Sequence, residues 1–232
     1  MKIQISRVDQ NAFTEFVNRL KSIDTFLYFK LRKGNVESAV YLPQRDAVKM
    51  HTLPITEMFT VEGGLPEGKE IKIAFFDAGK VLDAIKMFQN DQISAEIELI
   101  ENEEDFVAST VKLFNQELEI TLICSEPTLG FKDLTDSQIE TIFSREGSEF
   151  DFTLDTFTLG KIRSLFSLDK DDTFEINANG ASVRVKGKTY NYQAGGEYNG
   201  SAGKAILYKK YVNLLDREEY AVFVSGNKVV MK

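Results

Sequence analysis

Residues 150–169, FDFTLDTFTLGKIRSLFSLD, change character at Asp155. Before it, Phe150, Phe152 and Leu154 alternate with polar residues, the period of a half-buried strand. After it, Leu159, Ile162, Leu165 and Phe166 recur at spacings of three and four, the stripe of an amphipathic helix. The only charges on that helix are Lys161 and Arg163, in a chain whose formal net charge is −8. Two strand patterns follow, TFEINANG and SVRVKGKTYNYQ, separated at Gly180.

The same order occurs three more times, and fixed-period self-similarity decides a fold before any single segment does. Residues 2–42 read as strand KIQISR, helix DQNAFTEFVNRLKSI, strand TFLYFKL, turn at Gly34 and strand VESAVYL. Thr25-Phe26 and Thr173-Phe174 open the strand after the helix in the two copies. Residues 69–123 supply strand KEIKIAFFD, helix AGKVLDAIKMFQ and three strands, the last ELEITLI. Residues 204–232 supply strand KAILYKKY, a short helix VNLLDREEY and two strands, AVFVSG and NKVVMK. Phe13, Phe16, Val17 and Leu20 form one helical stripe; Val81, Leu82, Ile85 and Phe88 form another.

The chain is therefore expected to be an α+β protein of two similar halves, residues 1–125 and 149–232. Residues 126–148 would connect them and carry a short helix near 137–143. Each half pairs many antiparallel strands with two helices on one face. The fourth repeat shows fewer strands than its counterparts up to Lys232, so the closing strand of the second half is expected either beyond the given sequence or from a different source.

Composition narrows the function. At 43% hydrophobic and 28% charged residues the chain is of ordinary globular kind. No apolar run approaches the 18 or more residues of a membrane-crossing helix. MKIQISRVDQ reads as a strand rather than a leader, and the expected location is cytoplasmic. The single Cys124 cannot form an internal disulfide, and the single His51 leaves paired His and Cys chemistry without partners. Neither a catalytic nor a metal site is expected. GGEYNGSAGKA (195–205) departs from the phosphate-loop pattern at Tyr198 and Ala205 and precedes a strand, so it reads as a connector. DKDDTFEINANG lacks calcium-loop spacing.

Charge is distributed by element. With the stripes buried, the other helix faces carry Arg19 and Lys21, Lys80 and Lys86, Lys161 and Arg163, while Lys210 precedes the fourth helix and Arg217 lies on it among acids. Acids gather instead in ELIENEEDF (98–106) and DKDD (169–172). Basic helix faces in an acidic chain suit contact with a polyanion through phosphates, without base reading.

In this repeat pattern the whole chain resembles the DNA sliding clamps, whose domain is a duplicated β-α-β-β-β unit. Two-domain chains of this length resemble the homotrimeric clamps of T-even-like phages and, more distantly, PCNA. The resemblance implies a viral-type processivity factor: three copies closing a ring around duplex DNA and tethering DNA polymerase, after placement by an ATP-dependent clamp loader. It implies no enzyme activity and no cofactor. The eight cations named above would face the DNA. A partner-peptide pocket would draw on Leu129, Phe131, Leu134 and Ile139 of the connecting segment, with Val229 and Met231. The competing reading is an interaction or virion structural protein on a clamp-like α+β repeat.

Overall fold

The computed structural model describes residues 1–21, 24–41, 47–66, 68–89, 91–103, 105–129, 134–226 and 228–232. They form two compact units, Met1–Asp133 and Leu134–Lys232.

The first unit opens with β1 (Lys2–Val8), α1 (Gln10–Lys21), β2 (Leu27–Arg32), β3 (Asn35–Tyr41) and β4 (Val48–Pro54). It continues through a single turn α2 (Ile55–Met58), β5 (Phe59–Glu62), β6 (Ile71–Phe75) and α3 (Ala78–Lys86). β7 (Ile93–Glu101), β8 (Phe106–Phe114) and β9 (Glu119–Ile123) complete it. The strands form one nine-stranded sheet ordered β4-β3-β2-β6-β8-β7-β1-β5, with β9 also on β8. All pairings are antiparallel except the short β6–β8 contact at Ile71–Phe106 and Lys72–Val107.

α1 starts where Asp9 accepts the amides of Asn11 and Ala12, and α3 where Asp77 accepts those of Gly79 and Lys80. Phe13, Phe16, Val17 and Leu20 of α1 and Val81, Leu82 and Ile85 of α3 then enter one core with the inward residues of β1, β2, β6, β7 and β8. Phe16 and Val17 are fully buried. Phe16 meets Phe29 edge-on at 5.8 Å between ring centres, which adds to the stabilisation from burial.

The second unit repeats this plan. α4 (Asp136–Phe143) precedes β10 (Phe150–Leu154), α5 (Thr156–Leu165), β11 (Thr173–Ala178), β12 (Val183–Lys186) and β13 (Asn191–Ala194). β14 (Tyr198–Gly200), β15 (Gly203–Tyr208), α6 (Lys209–Asn213), β16 (Tyr220–Ser225) and β17 (Lys228–Met231) follow. Its two four-stranded sheets run β14-β10-β16-β17 and β13-β12-β11-β15. The counterparts are explicit: β10 lies between β14 and β16 as β1 lies between β5 and β7, and β11 between β12 and β15 as β2 between β3 and β6. The α+β architecture of two similar units, each with a pair of sheet-packed helices, is the expected one. Among the described residues nothing after β17 corresponds to β9.

Four segments differ from the sequence expectation. SVRVKGKTYNYQ is two strands, because Gly187 turns where a Cβ would meet the Tyr190 ring at 2.4 Å. The expected connector 195–205 contains β14. Gly196 (φ +104°) and Gly200 (φ +119°) bring it onto β10, where a Cβ would stand 2.4 Å from the Thr153 carbonyl and 2.5 Å from that of Glu149. The strand KAILYKKY stops at Tyr208. The fourth helix starts at Lys209, earlier than expected, and ends at Asn213, because the next residues turn about Tyr220, whose hydroxyl accepts the Asp216 amide.

Candidate nucleic-acid interface and partner surface

α1 and α3 lie on one face of their sheet, so their outer sides are decided by what the core leaves free. Lys21, Lys80 and Lys86 are exposed. The Lys21 ammonium lies beside Gly79, close to the Asp77 carboxylate that starts α3. Lys86 contacts Asp83 at 3.4 Å, an exposed pair that costs the lysine little of its reach. Arg19 is only part-exposed and bonds Glu15 at 2.5 Å, one turn earlier. In the second unit Lys161 is exposed on α5, with no ion pair among the described residues.

Two of the sequence-predicted cations serve other ends. Arg163 donates to the Val212 carbonyl at 3.2 and 2.8 Å and to the Leu215 carbonyl at 2.5 Å. It holds the C-terminal end of α6 against α5. Lys210 sits on α6 with its ammonium 5.0 Å from the Tyr208 ring centre and 4.8 Å from that of Tyr211. Arg217 is exposed but belongs to the turn beyond α6 rather than to a helix.

Other basic residues are consumed inside the units. Arg32 bonds Glu37 at 2.5 Å and Glu70 at 2.8 Å, and Lys30 reaches Glu70 at 3.3 Å. Lys72 pairs with Asp105 at 2.5 Å. Lys209 pairs with Asp169 and also donates to the carbonyls of Phe166 and Asp169, each at 3.2 Å. The Asp169 carboxyl is held below the usual carboxylate range, first by that hydrogen bond and then by the Lys188 amide and the lysine charge. Beside it, burial and the Asp169 charge push the Tyr190 phenol up to about 12. Sequence spacing offers no sign of this cluster, which joins residues 40 apart.

The partner-pocket residues divide between the units. Leu129 ends the 3₁₀ turn Pro127–Leu129, which packs on β6 after Ser125 donates to the Ala74 carbonyl. Phe131 lies outside the described residues. Leu134 is buried, and Ile139 is half-buried on α4. Val229 and Met231 are half-buried on β17, packed against the core of the second unit. Large exposed apolar side chains that the patterns did not single out include Phe76, Phe157 and Ile123.

The two residues that could supply nucleophilic chemistry, Cys124 and His51, are each engaged in packing. Burial pushes the Cys124 thiol up to about 12, and His51 packs its ring 5.4 Å from that of Phe16. Among the described residues no group of three His, Cys, Asp or Glu side chains could hold a metal ion. No helix among them is long and apolar enough to cross a membrane.

The A. fulgidus PCNA, in a structure with the C-terminal region of FEN-1 bound, superposes with a TM-score of 0.68 at 13% identity, over 99% of this chain and 91% of that one. The chain has the sliding-clamp fold. The clamp fold also relates it to PCNA of Entamoeba histolytica, with a TM-score of 0.65 at 14% identity over 99% and 91% of the two chains. PCNA of Thermococcus kodakaraensis gives 0.63 at 13% identity over 97% and 90%. No protein-family model and no curated sequence matches the chain. The clamp likeness is one of folded structure, at 13–14% sequence identity.

Proposed function

We propose that the protein is a DNA polymerase sliding clamp, a ring that encircles duplex DNA and confers processivity without enzymatic activity of its own. The observation that carries this reading is the duplicated unit itself, whose clamp-like course extends over 99% of the chain. Three copies, placed on DNA by an ATP-dependent clamp loader, would supply six units. Head-to-tail contact between unlike units closes into a ring when the rotation per copy allows it.

Lys21, Lys80, Lys86 and Lys161 are the residues that meet phosphates in this reading, and Arg217 contributes from its turn. Weak, sequence-blind contacts of that kind permit sliding, whereas base-specific ones would arrest it. The tether then works through topology and raised local concentration, not through affinity for DNA. A. fulgidus PCNA binds the C-terminal region of FEN-1. By analogy, polymerase and loader would dock here through short peptides near Leu134, Ile139, Val229 and Met231. The test is polymerase extension on primed circular DNA with the loader. Long products that depend on this protein support the reading; unchanged product length in its presence refutes it.

A further inference from the structure

One sheet of the second unit carries, on its outer face, charge that the fold leaves unanswered. Register fixes the members of that face. Glu175 lies opposite Lys186 on one side and Ile206 on the other; Asn177 lies opposite Arg184 and Lys204; Thr173 lies opposite Tyr208. Directly opposed residues share a face, so these side chains stand together. The alternate residues Phe174, Ile176, Val185 and Ala205 enter the core with Leu159 and Ile162 of α5. The first group therefore occupies the side of the sheet turned away from the helices, apart from the lysines assigned to DNA.

The first unit holds the self-sufficient version of this face. Leu31 of β2 lies opposite Val36 and Ile71, as Ala178 of β11 lies opposite Val183 and Gly203. Counted from that row, Lys30 corresponds to Asn177, Glu37 to Arg184, Lys72 to Lys204 and Ala74 to Ile206. In the first unit these cations are matched by acids: Lys30 and Arg32 share Glu70, Arg32 also bonds Glu37, and Lys72 bonds Asp105. In the second unit an arginine stands in the place of Glu37. Arg184, Lys186 and Lys204 are exposed, with no ion pair among the described residues. Glu175, the acid of the group, accepts the Asn177 amide at 2.9 Å. The apolar positions change as well: Ala74 is fully buried, whereas Ile206 is 66% and Tyr208 47% exposed.

Cations and apolar side chains line opposite margins of the face. Arg184 and Lys186 lie on β12, Ile206 and Tyr208 on β15, with β11 between them. Two strand spacings put the margins about 10 Å apart, the width of an α-helix. Along each margin the two side chains are about 6.6 Å apart, close to the roughly 6 Å advance of four helical residues. An aliphatic margin beside a basic one suits a polypeptide of both characters, whereas a phosphodiester chain answers the cations and leaves Ile206 in water. We infer that this face of β11, β12 and β15 docks an acidic amphipathic helix of a partner protein, with carboxylates four residues apart over Arg184 and Lys186 and an adjacent apolar stripe over Ile206 and Tyr208. The inference stands on strand pairing and charge and does not depend on the ring.

The test titrates the full chain into a fluorescein-labelled, alanine-based helical peptide in which a Leu–Glu pair recurs every fourth residue. Saturable binding is expected, weakened about tenfold by Arg184→Glu combined with Lys186→Glu and several-fold by Ile206→Ser. A peptide with Lys in place of Glu should regain binding to the charge-reversed variant, a recovery that unfolding cannot give. The three positions are exposed, so melting temperatures should stay near that of the parent. Absence of binding, or binding indifferent to these substitutions, overturns the inference. So does an oligothymidylate that binds this face more tightly than the peptide, because nucleic acid is then the occupant. Self-association that the charge reversal abolishes overturns it too, since a second copy then covers the face. Retention on circular DNA separates this result from the clamp reading: a chain held on the circle that ignores the peptide defeats only the inference, and one that binds the peptide but not the circle defeats only the clamp.

Discussion

At the scale of single residues, charge matters through what each cation already touches. Arg163 looks in sequence like Lys161, two positions away on a basic helix, yet the structure spends it on α6. Arg163→Ala should therefore cost about 1–3 kcal/mol of stability in urea denaturation, since it removes charged donors from three contacts. Lys161→Ala should leave stability within about 0.5 kcal/mol, as expected of an exposed surface position. The Asp169–Lys209 pair has a pH signature. Because the carboxyl is depressed in the folded state, its contribution is present above the unfolded value of about 4 and is lost as pH falls through the lower folded value. Lys209→Gln should lower the melting temperature at pH 7 by several degrees, and the gap from the parent should narrow toward pH 2. An undiminished gap there would exclude the ion pair as the source. None of this was legible in the sequence, where Asp169 is one acid of DKDD and Lys209 one base of YKKY.

At the scale of elements, legibility followed burial. The stripes Phe13-Phe16-Val17-Leu20 and Leu159-Ile162 announced α1 and α5, because a helix that must bury one face advertises it at intervals of three and four. Phe16→Ala should accordingly destabilise the protein by about 3–5 kcal/mol in chemical denaturation, the cost of emptying a fully buried aromatic site. Elements that hide little apolar surface were not visible. β14 is three residues of YNG, and glycine-enabled backbone proximity assigns it to the sheet where side-chain pattern does not. Gly200→Val tests that account. Its φ of +119° and a Cβ 2.5 Å from a carbonyl predict loss of more than about 2 kcal/mol, with exchange protection lost first in β14. α6 was misplaced for a related reason. Its five residues bury only Val212, so its limits are fixed by Lys209 and Tyr220 and not by a stripe.

At the scale of the molecule, four repeats made the α+β plan readable, and solved clamps at 13–14% identity share it across nearly the whole chain. In the proposed reading the acidic total and the exposed Lys21, Lys80, Lys86 and Lys161 act together, repelling phosphates elsewhere and receiving them on these helix faces. Replacing Lys21, Lys80, Lys86 and Lys161 together by Ala should shorten residence on DNA and flatten its salt dependence, with folding preserved. The central claim is topological, and topology has a direct assay. Loaded onto circular duplex DNA, the protein should remain bound through gel filtration and be released when one restriction cut linearises the circle. Equal retention on circular and linear DNA, or loss from both, would contradict the account.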